Sequence, residues 1–216
     1  MGPVRREQIV RATIRCLARE GYTRLTMKKV AREAGVSQGI LHYYFADKRT
    51  MLAATLEAVT RDLDRRVAAA QSRTGRDPRA RLRALVRACL EVAVRRPEFW
   101  VVFVEFWGEM LHDRRLRELN TAVYSRTRRL IGRLIADGAR TGRFRPVDPA
   151  RGAAVVLGLV DGLSLQLTFD PDAFGVAEAA RFCDDALGRY LAKETPWLPK
   201  PGPRSGRAPT SRARRR

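Results

Sequence analysis

Residues 26–45 read Thr-Met-Lys-Lys-Val-Ala-Arg-Glu-Ala-Gly-Val-Ser-Gln-Gly-Ile-Leu-His-Tyr-Tyr-Phe. Two short helical segments flank the sequence Gly-Val-Ser, and each is preceded by a hydroxyl residue. Thr26 and Ser37 are N-cap residues, whose side-chain oxygens accept from N–H groups that a first helical turn leaves free. Gly35 between them tolerates the left-handed backbone of a tight turn. Met27, Val30, Ala31, Ala34, Val36, Leu41 and Phe45 fall on the faces that pack against a preceding helix. Gln38, Gly39, Ile40, His42 and Tyr43 are left pointing outward. This is the construction of a helix-turn-helix, whose second helix enters the major groove of DNA.

The flanking sequence supplies the remaining parts. From Pro3 to Glu20, Ile9, Ala12, Cys16 and Leu17 share one helical face, and Gly21 is the expected stop. Asp47 caps a long helix to about Ala70, in which Leu52, Leu56, Val59, Leu63 and Val67 form one apolar stripe that joins head to body. Asp77 and Pro78 open a fifth helix to Arg96. Further helices are expected over 98–111, 114–140, 149–168 and 174–193. No stretch alternates in the manner of a strand, so the chain is expected to be all-α, with about nine helices. The expected division is a head over 1–47, a body over 48–195 entered by the helix 48–70, and a disordered basic tail over 196–216.

A net charge of +20 and a pI near 11.3 point to polyanionic partners. Seven basic and no acidic residues stand between Pro196 and Arg216, which leaves 20 − 7 = +13 on the rest. Lysine occurs only at 28, 29, 48, 193 and 200, so arginine carries most of this charge. Cys16, Cys89 and Cys183 have no paired spacing, which argues against a disulfide framework or a zinc site. No secretory signal opens the chain, and a cytoplasmic location is expected. The apolar stretch 152–169 contains Asp161, Ser164 and Gln166 and reads as a helix buried in protein rather than in a membrane. With only His42 and His112 as imidazoles, no glycine-rich phosphate loop and no nucleophile elbow, the sequence argues against an enzyme and calls for no cofactor.

Over residues 22–52 the chain resembles the TetR family of bacterial regulators, through Gly-Tyr-Thr-Arg-Leu-Thr, Ala-Gly-Val-Ser-Gln-Gly and Tyr-Tyr-Phe-Ala-Asp-Lys-Arg-Thr-Met-Leu. Phe106-Trp107 and the Val-Asp-Gly-Leu segment at 160–163 resemble the choline-responsive, BetI-type subgroup. The resemblance implies a three-helix DNA-binding head, a helical body with an internal ligand pocket, and a homodimer formed mainly by the last two helices. It places Thr26 and Lys28 at phosphates, Ser37, Gln38, Gly39, Ile40 and His42 on the recognition helix, and Tyr43 and Lys48 on the DNA backbone. The family more often has threonine or serine where Ile40 stands and tyrosine where His42 stands, which leaves the operator sequence open. Ile40 suits a thymine methyl and Gln38 an adenine edge. For His42 a phosphate contact or plain solvation are the alternatives.

In the body, Trp100, Phe103, Phe106, Trp107, Met110 and His112 make an aromatic-rich helix. Core packing and the wall of an apolar cavity are both consistent with it. The candidate ligand residues are Trp100, Phe103, Trp107 and Met110 with Asp161 and Gln166, two polar groups that cannot be buried unpaired. This helix is expected to lie in the body, its influence relayed to the head by the helix that starts at Asp47. Val155, Val156, Leu159, Val160 and Leu163 are the expected dimer face. The functional expectation is a homodimeric repressor released from a palindromic operator by a small molecule. Alternatives are a ligand-activated or activating regulator of the same fold, or a non-specific nucleic-acid-coating protein.

Overall fold

A computed structural model describes residues 2–192, and among these every regular element is an α-helix. In chain order these are α1 (Gly2–Arg24), α2 (Met27–Glu33), α3 (Gln38–Tyr44), α4 (Lys48–Ser72), α5 (Pro78–Arg95), α6 (Pro97–Met110), α7 (Arg114–Arg140), α8 (Pro149–Phe169) and α9 (Val176–Leu191). The expected tail over 196–216 lies outside the described residues.

The helix starts follow the expected chemistry. The side chains of Thr26, Ser37, Asp47, Asp77, Asp113 and Asp148 each accept from a backbone N–H of the first turn. Such caps stabilise by about 1 kcal/mol apiece. Pro78, Pro97 and Pro149 occupy first-turn positions, where a missing N–H costs nothing. Gly21 breaks the first helical run of α1 where the stop was expected. Its backbone turns to φ 75°, ψ 171°, and one further helical turn follows across the kink to Arg24.

Two cores organise the packing. One joins Ile9, Leu17, Leu25, Val30, Leu41, Phe45, Leu52 and Leu56 to Val102, Phe103 and Phe106 of α6. The other gathers Val67, Leu85, Leu90, Ile131, Ile135, Val156, Val160 and Leu187. Helix α4 contributes to both. Helix α6, expected to lie apart from the head, instead packs along α1. The physical reason is size: three short helices cannot cover their own apolar residues.

Helix α8 packs on α5, α7 and α9 with one side only. Its length and mean hydropathy of 1.6 would suit a membrane span, yet only 33% of that window is buried inside the chain. Ala154, Val155, Gly158, Gln166 and Phe169 are exposed on the single chain. Val156 and Val160, expected in a dimer face, point the other way into the chain's own core. The i, i+4 spacing puts them together on the packed side, one residue out of phase with Val155 and Leu159.

The α7–α8 connection closes on Gly138, whose carbonyl accepts from the N–H groups of Arg143 and Phe144 at 2.8 and 3.0 Å. A Cβ at Gly138 would stand 1.9 Å from a ring carbon of buried Phe144. Gly138→Ala is therefore expected to expel the ring and destabilise by about 1–3 kcal/mol. Thermal unfolding should register this as a loss of about 2–4 °C per kcal/mol, and an unchanged midpoint would contradict the packing.

Candidate nucleic-acid interface and ligand cavity

The turn between α2 and α3 is built as its residue types require. Gly35 sits at φ 63°, the N–H of Val36 donates to the Ala31 carbonyl, and Ser37 Oγ accepts from the Ile40 N–H at 3.2 Å. Leu41 and Phe45 anchor the short α3 in the core. Its other side is open: Gln38, Gly39 and His42 are exposed, as are Ile40 at 42% and Tyr43 at 83%. Large apolar groups are rarely held in water without a partner surface. Thr26, Lys28 and Ser37 are exposed on the same small head. Gln8 Nε2 donates to the Ala34 carbonyl at 2.6 Å and ties α1 to the end of α2, and a cleft between α1 and α3 is lined by Val4, Arg5, Ile40 and Tyr43.

Charge is distributed in the same sense. Glu7 pairs with Arg11, Glu20 with Arg19 and Lys29, and Glu33 with Arg15 and Arg19, while Asp47 caps α4. The carboxylates of the head are thus neutralised within it. Lys28 and Arg32 make no ion pair among the described residues. A concentrated positive surface of this kind is what phosphate neutralisation uses.

Lys48, expected on the DNA backbone, also bonds within the head. Its Nζ donates to the Tyr22 carbonyl at 2.9 Å and lies 4.3 Å from the centre of the Tyr22 ring. Burial holds its pKa below the usual lysine value, with the Glu109 carboxylate opposing that shift.

The second site lies between α4, α5, α6, α7 and α8, where Trp100, Phe103 and Trp107 face Tyr124, Asp161, Cys89, Leu63, Val123, Thr127 and Leu157 around a cavity of about 60 Å³. Trp100 and Trp107 meet edge to face at 5.9 Å. Tyr124 Oη donates to Asp161 Oδ2 at 2.8 Å, and no cation pairs with this carboxylate among the described residues. Burial raises the pKa of Asp161, and the Tyr124 hydrogen bond lowers it. Burial, then the Asp161 charge, raises that of Tyr124. The Cys89 thiol is pushed up to about 12 by burial and is neutral. The indole N–H of Trp100 is buried without an acceptor among the described residues. Aromatic faces around a lone carboxylate are complementary to a compact organic cation, and the free indole N–H to an acceptor that such a cation carries.

Of the expected ligand residues, Trp100, Phe103, Trp107 and Asp161 come together. Met110 is buried in the core shared with the head, and Gln166 is exposed. Helix geometry explains both. Gln166 is five residues from Asp161, about 140° around α8, and Met110 is about 10 Å along α6 from Phe103. Cys89, Val123, Tyr124, Thr127 and Leu157 were not legible as cavity residues, because α5, α7 and α8 reach the site only through tertiary packing.

A capped helix-turn-helix presented by a helical body that encloses a small polar-ended cavity defines a transcriptional regulator. The family comparisons agree: residues 9–55 match bacterial regulatory proteins of the tetR family, and residues 78–192 match the BetI-type transcriptional repressor C-terminal region. The chain belongs to the TetR family of transcriptional regulators, with a BetI-type body. It is 34% identical over 197 residues to the HTH-type transcriptional regulator BetI of Paraburkholderia phymatum, covering 89% of this chain and 96% of that one. A transcriptional regulator from Saccharomonospora viridis, solved in complex with choline, superposes with a TM-score of 0.78 at 28% identity, over 86% of this chain and 96% of the other. A regulator from Pseudomonas aeruginosa PAO1 shares the fold, with a TM-score of 0.79 at 24% identity and coverage of 87% and 90%.

Asp161 also yields a prediction of pH dependence. Its native pKa lies above the unfolded one, so the native state binds the extra proton between the two values. Stability must fall as pH rises through that window and stay low above it. Asp161→Asn keeps an acceptor for Tyr124 and removes the penalty. The variant should melt higher than the parent at pH 7 without ligand, and its advantage should vanish below the unfolded carboxylate range near pH 3.9. A variant that melts lower at pH 7 would show that the carboxylate has a stabilising partner.

Proposed function

We propose that the chain is a homodimeric repressor that holds a palindromic operator and releases it when a small organic cation of the choline kind enters the aromatic cavity. The observation that carries the ligand reading is the Asp161 carboxylate, without a cation partner among the described residues and facing Trp100, Phe103, Trp107 and Tyr124. The choline complex of the Saccharomonospora viridis regulator supports it. A cationic ligand would both neutralise Asp161 and lie on ring faces, each effect strengthened by exclusion of water.

On the DNA side, Gln38, Gly39, Ile40 and His42 are assigned to base edges and Tyr43 to the backbone, with Thr26, Lys28 and Ser37 at phosphates. Lys48 joins Tyr43 at the backbone, since the bond to the Tyr22 carbonyl uses one of the three donors of its ammonium. For the dimer, the outer faces of α8 and α9 carry the candidate surface. Val155 is 40% and Phe182 47% exposed, and Gly158 and Gly162 leave room for a close partner. Two-fold symmetry then dictates an inverted repeat with half-sites about one helical turn apart. Such a protein acts in the cytoplasm, where bacterial DNA lies.

Selecting bound duplexes from genomic fragments tests the reading, and should return an inverted repeat. Tyr43→Ala should weaken binding to every sequence, and Gln38→Ala should relax discrimination at particular base pairs by about 1–3 kcal/mol. Equal affinity for the selected duplex and its scrambled counterpart at physiological salt would refute sequence-specific binding. For the ligand, choline chloride should raise the melting temperature of the parent and fail to raise that of Trp107→Ala. Sedimentation should find a dimer that the pair Val155→Arg and Phe182→Arg converts to monomer, and a monomeric parent at micromolar concentration would refute the symmetric arrangement.

A further inference from the structure

Helix α6 has two working faces. Trp100, Phe103 and Trp107 line the cavity, while Glu105, five residues from Trp100 and about 140° around the helix, points to α1. Glu105 Oε2 accepts from the Tyr22 backbone N–H at 2.7 Å, a contact between residues 83 apart in sequence. Tyr22 directly follows the Gly21 kink at φ 75°. Its carbonyl accepts from Lys48 Nζ, at the start of α4. One residue of α1 is thereby held by the body through its N–H and by α4 through its C=O. A Cβ on Gly21 would meet both Glu105 carboxylate oxygens at 3.4 Å, so the carboxylate lies close against the kink.

The cavity behind this contact is tight. Its volume of about 60 Å³ is several-fold below the roughly 300–1,000 Å³ of ordinary small-molecule sites. An organic ligand must press the walls apart, and three of the rings it meets belong to α6. A shift of α6 has a rigid neighbour to act on, because α6 packs against α1 through buried Val102 and Phe106. Packed interfaces of this kind answer by discrete repacking and not by smooth deformation. Only three residues separate Tyr22 from Thr26, the cap of α2, which leads to the recognition helix.

We propose that Glu105 is the positioning residue that couples the cavity to the DNA-binding head: its carboxylate grips the Tyr22 N–H at the Gly21 kink, so that displacement of α6 by a ligand is delivered to α2 and α3. This departs from a relay through α4 alone, the route the sequence suggests. It rests on the cavity being the effector site, as proposed above, and it assigns to Glu105 a role in the response and none in contacting DNA or ligand.

The test compares operator affinity with and without saturating choline chloride for the parent, Glu105→Ala and Glu105→Gln, on the duplex selected from genomic fragments. Choline binding to each DNA-free protein is followed by calorimetry. The parent should lose at least about fivefold in operator affinity. Glu105→Ala should still bind choline and operator but respond less than twofold. Glu105→Gln, which retains an oxygen acceptor for the Tyr22 N–H, should keep the parental response. A response in Glu105→Ala as large as in the parent overturns the coupling role, as does an equal loss in both variants. If choline does not bind the parent, the ligand reading fails and a ligand-free arm decides the coupling. Val123→Phe from α7, or Leu157→Phe from α8, overfills the cavity. Either should weaken operator binding in the parent and do so much less alongside Glu105→Ala. Equal weakening in both backgrounds, or none in the parent, overturns it.

Discussion

The apolar contact between α1 and α6 is the constraint on which the rest of the molecule depends. A helix-turn-helix of this length cannot exclude water from its own core, since chains below about 60 residues bury too small a fraction of their surface. The head therefore completes itself with Val102, Phe103 and Phe106, side chains borrowed from beyond residue 100. The same helix also walls the cavity. Occupancy of the cavity and packing of the head are thus not independent, because a single 14-residue helix serves both. Linkage requires that whatever ligand favours one arrangement of α6 be disfavoured by DNA that favours the other.

The polar groups at the two faces of α6 differ in what they cost. Glu105 is half-buried and satisfied by the N–H of Tyr22, whose carbonyl in turn accepts from Lys48. Asp161 is half-buried with a neutral phenol as its only hydrogen-bond donor among the described residues. Burial raises its pKa, which means that the ionised form is held at a loss where no cation is close. A site that gives up stability in the empty state in this way is characteristic of binding sites rather than of packing cores. The neutral Cys89 thiol and the surrounding apolar walls add shape without a competing charge.

Much of this was legible in the sequence. The helix starts could be read because a cap is local chemistry: Thr26, Ser37, Asp47 and Asp77 cap where expected, and Asp113 and Asp148 cap two further helices in the same way. The outward set on α3 followed from phase against Leu41 and Phe45. Trp100, Phe103 and Trp107 share a face through their i, i+3 and i+7 spacing, and the same phase arithmetic separates Gln166 from Asp161. What could not be read is long-range. The Tyr22–Glu105 bond, the approach of Tyr124 to Asp161 across 37 residues and the association of α6 with the head depend on how helices cross, which side-chain period does not encode. The turn of Lys48 toward Tyr22 is of the same kind, since a lysine at a helix start is equally placed for phosphate until a carbonyl comes within reach.

Amide hydrogen exchange with and without choline chloride tests the central claim most directly, because it reads the cavity and the head in one experiment. If α6 couples them, choline should change protection over residues 97–110 and, in the same titration, over 21–26 and the recognition helix at 38–44. A change confined to the cavity segments around 97–110, 123–127 and 157–161, with residues 21–26 unaffected at saturation, would contradict it.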